Sequence, residues 1–253
     1  MDSTMDGMHA NMLRAVQRIG HLTERSATAE VGPWLLIDAG VDMARFNQAF
    51  VAASLDEPAA AVAQALAWFD ARNSEPTFHL RDPMDGALAG ALAPHGFEAI
   101  ESEPAMYLSD LPAHPAPSPG LIIREVRDAP DIARYAEIDA PAWHVVTRGI
   151  ARTVREFPDF TMLLGELNGD AVATSMAVVT DGIVGVYNVQ VRPSHRGRGF
   201  GRALTAAAIE VGRIAGCTAA TLQSTPMGLP LYTAMGFQTR YSVTVYARPQ
   251  TLS

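Results

Sequence analysis

One segment constrains this chain more than any other: Val189-Gln190-Val191-Arg192-Pro193-Ser194-His195-Arg196-Gly197-Arg198-Gly199-Phe200-Gly201-Arg202. It ends an apolar run, IVGVYNVQV (183–191), that reads as a strand. It opens a helix predicted over 201–215, on which Leu204, Ala208, Val211 and Ala215 share one face. Gly197, Gly199 and Gly201 alternate with other residues, so backbone N–H groups can approach a common ligand with no Cβ in the way. The helix adds its unsatisfied first-turn N–H groups and the positive end of its dipole. A strand, a glycine loop and a helix in this order make a cradle for a phosphate or pyrophosphate. Arg196, Arg198 and Arg202 bring positive charge to it in a chain whose net charge is −8.

The same residues narrow the ligand. A nucleoside-triphosphatase loop requires a lysine, and all 19 basic residues here are arginine. A dinucleotide fingerprint requires its third glycine one residue later, in an early β-α-β unit, whereas this loop follows a meander of antiparallel strands. The acidic balance argues against nucleic acid as a partner. The single cysteine, Cys217, excludes an intramolecular disulfide and points to a reducing compartment. It starts a predicted buried strand, where a thiol is inert. The first residues lack a basic stretch followed by an apolar one, and no apolar run approaches the roughly 18–20 residues that span a bilayer. A cytoplasmic protein with no membrane partner is expected.

Apolar residues make up 48% of the 253 residues, enough for ordinary cores. The run PAHPAPSP (112–119) holds four prolines and can form neither helix nor central strand. It divides the chain into an expected N-terminal domain, 1–111, a Pro-rich linker, 112–119, and a C-terminal domain, 120–253. In the C-terminal part, strands are predicted at 121–126, 160–167, 171–180, 183–191, 217–223 and 242–247. Asn168-Gly169 and Asp181-Gly182 turn successive strands. Helices are predicted at 128–139, 151–157, 201–215 and 230–237. The N-terminal part reads as helices at 12–19, 44–53, 57–73 and 87–97 and strands at 33–39, 76–80 and 104–108. Both parts end in helix, Gly, Phe and strand: Gly96-Phe97 and Gly236-Phe237, 236 − 96 = 140 residues apart. The whole is a mixed α/β fold, with a mostly antiparallel sheet flanked by helices.

The strand, the Arg-x-x-Gly-x-Gly loop (Arg196, Gly199, Gly201), the helix, the next strand and the Leu-Tyr-x-x-x-Gly-Phe helix (Leu231, Tyr232, Gly236, Phe237) together resemble the GNAT superfamily of acyl-CoA-dependent N-acyltransferases. The resemblance covers about residues 120–248. The N-terminal part resembles a degenerate copy, with no glycine loop and with Leu92 where the second copy has Tyr232. The resemblance implies two tandem GNAT-like domains, the second of them catalytic.

It also implies a site. The cofactor-binding residues would be Arg196, Gly197, Arg198, Gly199, Phe200, Gly201 and Arg202 at the pyrophosphate, and the main chain of Val189 to Val191 at the thioester. A bulge or splay in that strand would free backbone groups for the pantetheine arm. Tyr232 is the candidate catalytic acid, since a phenol is protonated at pH 7 and can give its proton to a leaving thiolate. Tyr187, Asn188 and Gln190 offer no base. Glu137, His144 and Glu156 border the expected acceptor region but read as surface charges, so water is the default base. Ser224 and Thr225 would cap the Tyr232 helix or touch the pantetheine arm. Trp143 and Phe157 would line an acceptor pocket or belong to the core.

The function expected is transfer of an acetyl group from acetyl-CoA to a primary amine of a small molecule, by direct attack in a ternary complex and without a metal. A longer acyl group or a hydroxyl acceptor is not separated from it by sequence. The alternative is a non-catalytic CoA-binding or interaction module that retains the fold. The partner expected is the small-molecule amine, with a homodimer left open.

Overall fold

The computed structural model describes residues 3–20, 23–112, 118–138, 149 and 157–249. Helix α1 (Ser3–Ile19) is followed by β1 (Ala27–Val31), β2 (Trp34–Asp38), β3 (Gln48–Val51), α2 (Pro58–Asp70), β4 (Thr77–Asp82), α3 (Gly86–Leu92) and β5 (Glu98–Ser109). Then come β6 (Leu121–Glu125), α4 (Ala129–Ala136), β7 (Phe160–Leu167), β8 (Asp170–Thr180), β9 (Ile183–Val191), α5 (Phe200–Ile214), β10 (Ala219–Gln223), α6 (Leu229–Ala234) and β11 (Gln238–Ala247). No helix among the described residues is long and apolar enough to cross a membrane. The helix expected over 151–157 falls outside the described residues but for Phe157, as do His144, Glu156, Trp143 and most of the Pro-rich run.

The chain forms two compact units: Met1–Ile19 with Met106–Gln238, and Gly20–Ala105 with Thr239–Ser253. A single cut at 112–119 does not reproduce them. The N-terminal helix belongs with the C-terminal half, and the last strand belongs with the N-terminal half. The reason is pairing. β11 is antiparallel to β4, with Val243 opposite Arg81 and Val245 opposite His79. The end of β5 lies beside β10, where Thr221 Oγ1 donates to the Met106 carbonyl at 3.1 Å.

In the first unit, β6, β7, β8 and β9 form an antiparallel meander. Asn168-Gly169 and Asp181-Gly182 make its tight turns, all four residues at positive φ, as two-residue hairpins that match strand twist require. β10 then joins β9 in parallel after the α5 crossover. Phe200, Leu204 and Ala208 of α5 bury against Val172, Val184, Val186, Ala220 and Leu222 of the sheet. Helix α1 covers the other face. Asn11 is fully buried, donates to the carbonyls of Val178 (2.9 Å) and Ile183 (3.2 Å), and sits so close to Gly185 that a Cβ there would lie 1.9 Å from Asn11 Oδ1.

The second unit repeats the order strand, helix, parallel strand, helix, Gly-Phe. β3 and β4 are parallel and joined by α2; α3 follows, then left-handed Gly96 and buried Phe97. Its core packs Trp34 against Phe78 (5.3 Å between ring centroids) and Phe78 against Phe97 (5.0 Å), with Phe69 and Leu92 alongside.

Two N-terminal elements differ from expectation. Residues 44–53 form a helical turn at Ala44–Phe46 and then β3, not a helix. Ala49, Phe50 and Val51 are buried between β2 and β4, and two flanking ladders outweigh the helical preference of alanine. β1 was not expected at all: ATAEV is a strand because it closes a hairpin on β2.

Candidate functional site

β9 and β10 are neighbours only at the start. Their ladder runs from Ala219↔Ile183 to Thr221↔Gly185, while β9 continues to Val191. Toward β8, Thr174 faces Gln190 and Met176 faces Tyr187, so Asn188 and Val189 together stand opposite Ser175. This is a β-bulge, with Asn188 at φ +48°. The Val189–Val191 segment therefore leaves a bulge on one side and has no ladder partner in β10 on the other.

The loop that follows makes one helical turn at Pro193–His195, and Arg196 Nε donates back to the Val191 carbonyl at 3.2 Å. Gly197 and Gly199 take φ +74° and +81°, and Gly199 caps α5 without a side chain. A Cβ at either position would meet nothing within 4 Å, so the space before the α5 N-terminus is open. Gly201 differs. A Cβ there would lie 3.4 Å from Leu231 Cδ2 and 3.8 Å from Val191 Cγ2, which brings β9, α5 and α6 together at one point. Arg196, Arg198 and Arg202 are exposed and form no ion pair among the described residues; Arg198 lies over the Phe200 ring at 4.9 Å. The other described arginines of this unit pair with carboxylates, including Arg18, Arg124, Arg134, Arg192 and Arg213. Open backbone donors, a helix N-terminus and three exposed guanidinium groups with no carboxylate partner among the described residues fit a pyrophosphate.

Tyr232 lies on α6 one residue beyond Leu231, 8% exposed, with its ring edge-on to Phe237 at 6.0 Å. Gly228 gives its ring room: a Cβ there would lie 2.7 Å from Tyr232 Cε2. Thr225 Oγ1 accepts from Gly228 N–H at 3.3 Å, and Ser224 Oγ donates to the Thr225 carbonyl at 2.9 Å, so both hydroxyls serve the turn into α6. Burial pushes the Cys217 thiol above its ordinary range, as an inert thiol requires. Phe157 stacks under the Arg18 guanidinium at 3.6 Å. Glu137 is 65% exposed and pairs with Arg192 at 3.2 Å, on the wall of a small pocket of about 350 Å³ that also touches Arg134 and His195.

Three residues around the bulge are invisible to sequence reasoning. Tyr187 donates its hydroxyl to Asn11 Oδ1 at 2.7 Å, 176 positions away. Asn188 Nδ2 donates to the Tyr135 hydroxyl at 3.0 Å, and Thr174 Oγ1 donates to the Asn188 carbonyl at 3.3 Å. No local pattern announces Asn11, Tyr135 or Thr174. In the second unit the loop at the corresponding place, 52–57, contains Asp56 and Glu57 and no glycine, with Glu57 at the α2 N-cap.

Residues 158–239 match the acetyltransferase (GNAT) domain family. The chain carries a GNAT domain. Solved structures align along nearly all of it. A GCN5-related N-acetyltransferase from Kribbella flavida superposes with a TM-score of 0.70 at 20% identity, over 94% of this chain and 95% of that one. A tandem GNAT protein from the clavulanic acid biosynthesis pathway gives a TM-score of 0.62 at 16% identity, over 95% and 94%. A GCN5-related N-acetyltransferase from Sphaerobacter thermophilus gives 0.60 at 17%, over 86% and 81%. At these identities the likeness is one of fold, and the fold is the GNAT fold in tandem. No curated protein sequence matches the chain.

Proposed function

We propose that this protein transfers an acetyl group from acetyl-CoA to a primary amine of a small molecule, by direct attack in a ternary complex at the first unit. The observation that carries the reading is the head of α5, where Gly197 and Gly199 at positive φ face open space beside three exposed arginines that form no ion pair among the described residues. Acetyl-CoA supplies the activated acyl thioester. The N–H groups that begin α5, with Arg196, Arg198 and Arg202, hold its pyrophosphate. The main chain of Val189 to Val191 receives the arm between the parted β9 and β10. The attacking nitrogen forms a bond to the acyl carbon as the C–S bond breaks, and the nitrogen loses a proton to water. Tyr232 gives its proton to the departing sulfur. Glu137 takes no part in this scheme, since its carboxylate is engaged by Arg192. The second unit serves structure or acceptor selection: Asp56 and Glu57 would repel a phosphate where the first unit attracts one.

Thiol release from acetyl-CoA, followed across a panel of amines, amino acids and aminoglycosides, tests the activity. Calorimetry tests the site. Gly199→Asp places a carboxylate in the open space before α5, and acetyl-CoA binding is expected to be lost. Undiminished binding in that variant would move the pyrophosphate elsewhere. The packing of Tyr232 into the core favours a second reading, a CoA-binding module without catalysis. Tight acetyl-CoA binding with no thiol release from any acceptor would support it.

A further inference from the structure

We propose that Tyr135 and Asn188 form a positioning pair that sets the β9 bulge and thereby aims the main chain of 189–191 at the acyl-pantetheine arm; this rests on the acetyl-CoA reading above. Asn188 holds φ +48°, a conformation open at low cost to glycine and tolerated by asparagine. A bulge places one extra residue in a ladder, and neighbouring residues compete to be that extra one. Here the competition is decided by contacts from outside the strand. The Asn188 side chain donates to Tyr135 at 3.0 Å, and its carbonyl accepts from Thr174 at 3.3 Å. Tyr135 is a rigid anchor. It is fully buried on α4, and Asp131, one turn earlier, is clamped by Arg124 at 2.5 Å. One residue before the bulge, Tyr187 is held by Asn11. Sliding the bulge by a residue would break these bonds and rotate the peptide groups of Val189 and Gln190.

The two grips on the ligand are therefore separable. The pyrophosphate grip depends on the glycines and arginines of 196–202. The grip on the arm depends on where the bulge sits. Two probes distinguish them: acetyl-CoA, and 3′-phospho-ADP, which carries the pyrophosphate without the arm.

Calorimetric titration of both into the full chain, wild type, Tyr135→Phe, Asn188→Gly and the double variant, tests the pair. Tyr135→Phe removes only the hydroxyl; Asn188→Gly keeps the left-handed backbone and removes only the amide. Each single variant is expected to weaken acetyl-CoA about tenfold, the scale of one hydrogen bond, while 3′-phospho-ADP stays within about twofold. The double variant is expected to lose no more than either single one, because both remove the same bond. Equal weakening of the two ligands would assign the pair a merely structural role and overturn the proposal, as would unchanged acetyl-CoA affinity in both single variants. Should Tyr135→Phe fail to fold, Asn188→Gly carries the same comparison. A wild-type chain that binds neither probe would overturn the acetyl-CoA reading itself, and the pair with it.

Discussion

At Gly197 and Gly199 the backbone sits in the left-handed region, whereas Gly201 is an ordinary helical residue whose missing Cβ would make van der Waals contact with Leu231 and Val191. The three glycines of the loop should respond differently to alanine. Gly197→Ala and Gly199→Ala are each expected to cost about 1–2 kcal/mol, the strain of an L-residue at such φ. Gly201→Ala is expected to be neutral or to stabilise by up to about 1 kcal/mol, since it removes helical backbone entropy. Urea unfolding of the three variants checks this. Tyr232→Phe retains the ring that packs on Gly228 and Phe237 and removes the proton. If the phenol protonates the leaving sulfur, kcat falls by about 10²–10⁴-fold while acetyl-CoA affinity and melting temperature barely move. Full turnover in a folded Tyr232→Phe enzyme would leave the tyrosine as a packing residue.

At the scale of elements, α4 is tied to the edge of the first unit by charge. Arg124 on β6 bonds Asp131 on α4 at 2.5 Å and Glu166 on β7 at 3.0 Å, and Arg134 reaches Glu166 from one turn further along α4. These hydrogen bonds, Arg124 first in each case, hold both carboxyls below their ordinary range against the opposing effect of burial. A lowered folded-state pKa means stability that is complete above the unfolded carboxylate range and lost as pH falls through the folded values. Wild-type stability should therefore drop on acidification below about pH 4, and Arg124→Met should flatten that drop while lowering stability at neutral pH. Urea midpoints measured from neutral pH downward check both; equal acid slopes in the two proteins would remove the cluster from the account. Because Tyr135 lies on the same helix, this network also fixes the anchor of the β9 bulge.

At the scale of the molecule, each half of the chain lends an element to the unit built mainly from the other. Residues 120–253 expressed alone would lack α1 and the end of β5, and would carry β11 without its partner β4. Without α1, the carbonyls of Val178 and Ile183 lose the Asn11 donor, the Tyr187 hydroxyl loses its bond to Asn11, and the face covered by the buried Met8, Met12 and Ala15 is opened to water. That fragment is expected to be insoluble or molten, and a cooperative thermal transition from it would contradict the exchange.

Much of the first unit was legible from the chain alone. Asn168-Gly169 and Asp181-Gly182 set the hairpins, and the strands predicted at 160–167, 171–180 and 183–191 form within a residue of those bounds. The glycine loop opens α5 where the spacing placed it. These features depend on the backbone energies of adjacent residues, which each residue carries with it. Only the tertiary structure decided that 48–51 is a strand, that β11 pairs with β4, that Asn188 is the residue at the bulge, and that Asn11 and Tyr135 hold it. Each of those outcomes depends on burial and hydrogen bonds between residues distant in the chain, and such partners are chosen by packing rather than by local preference.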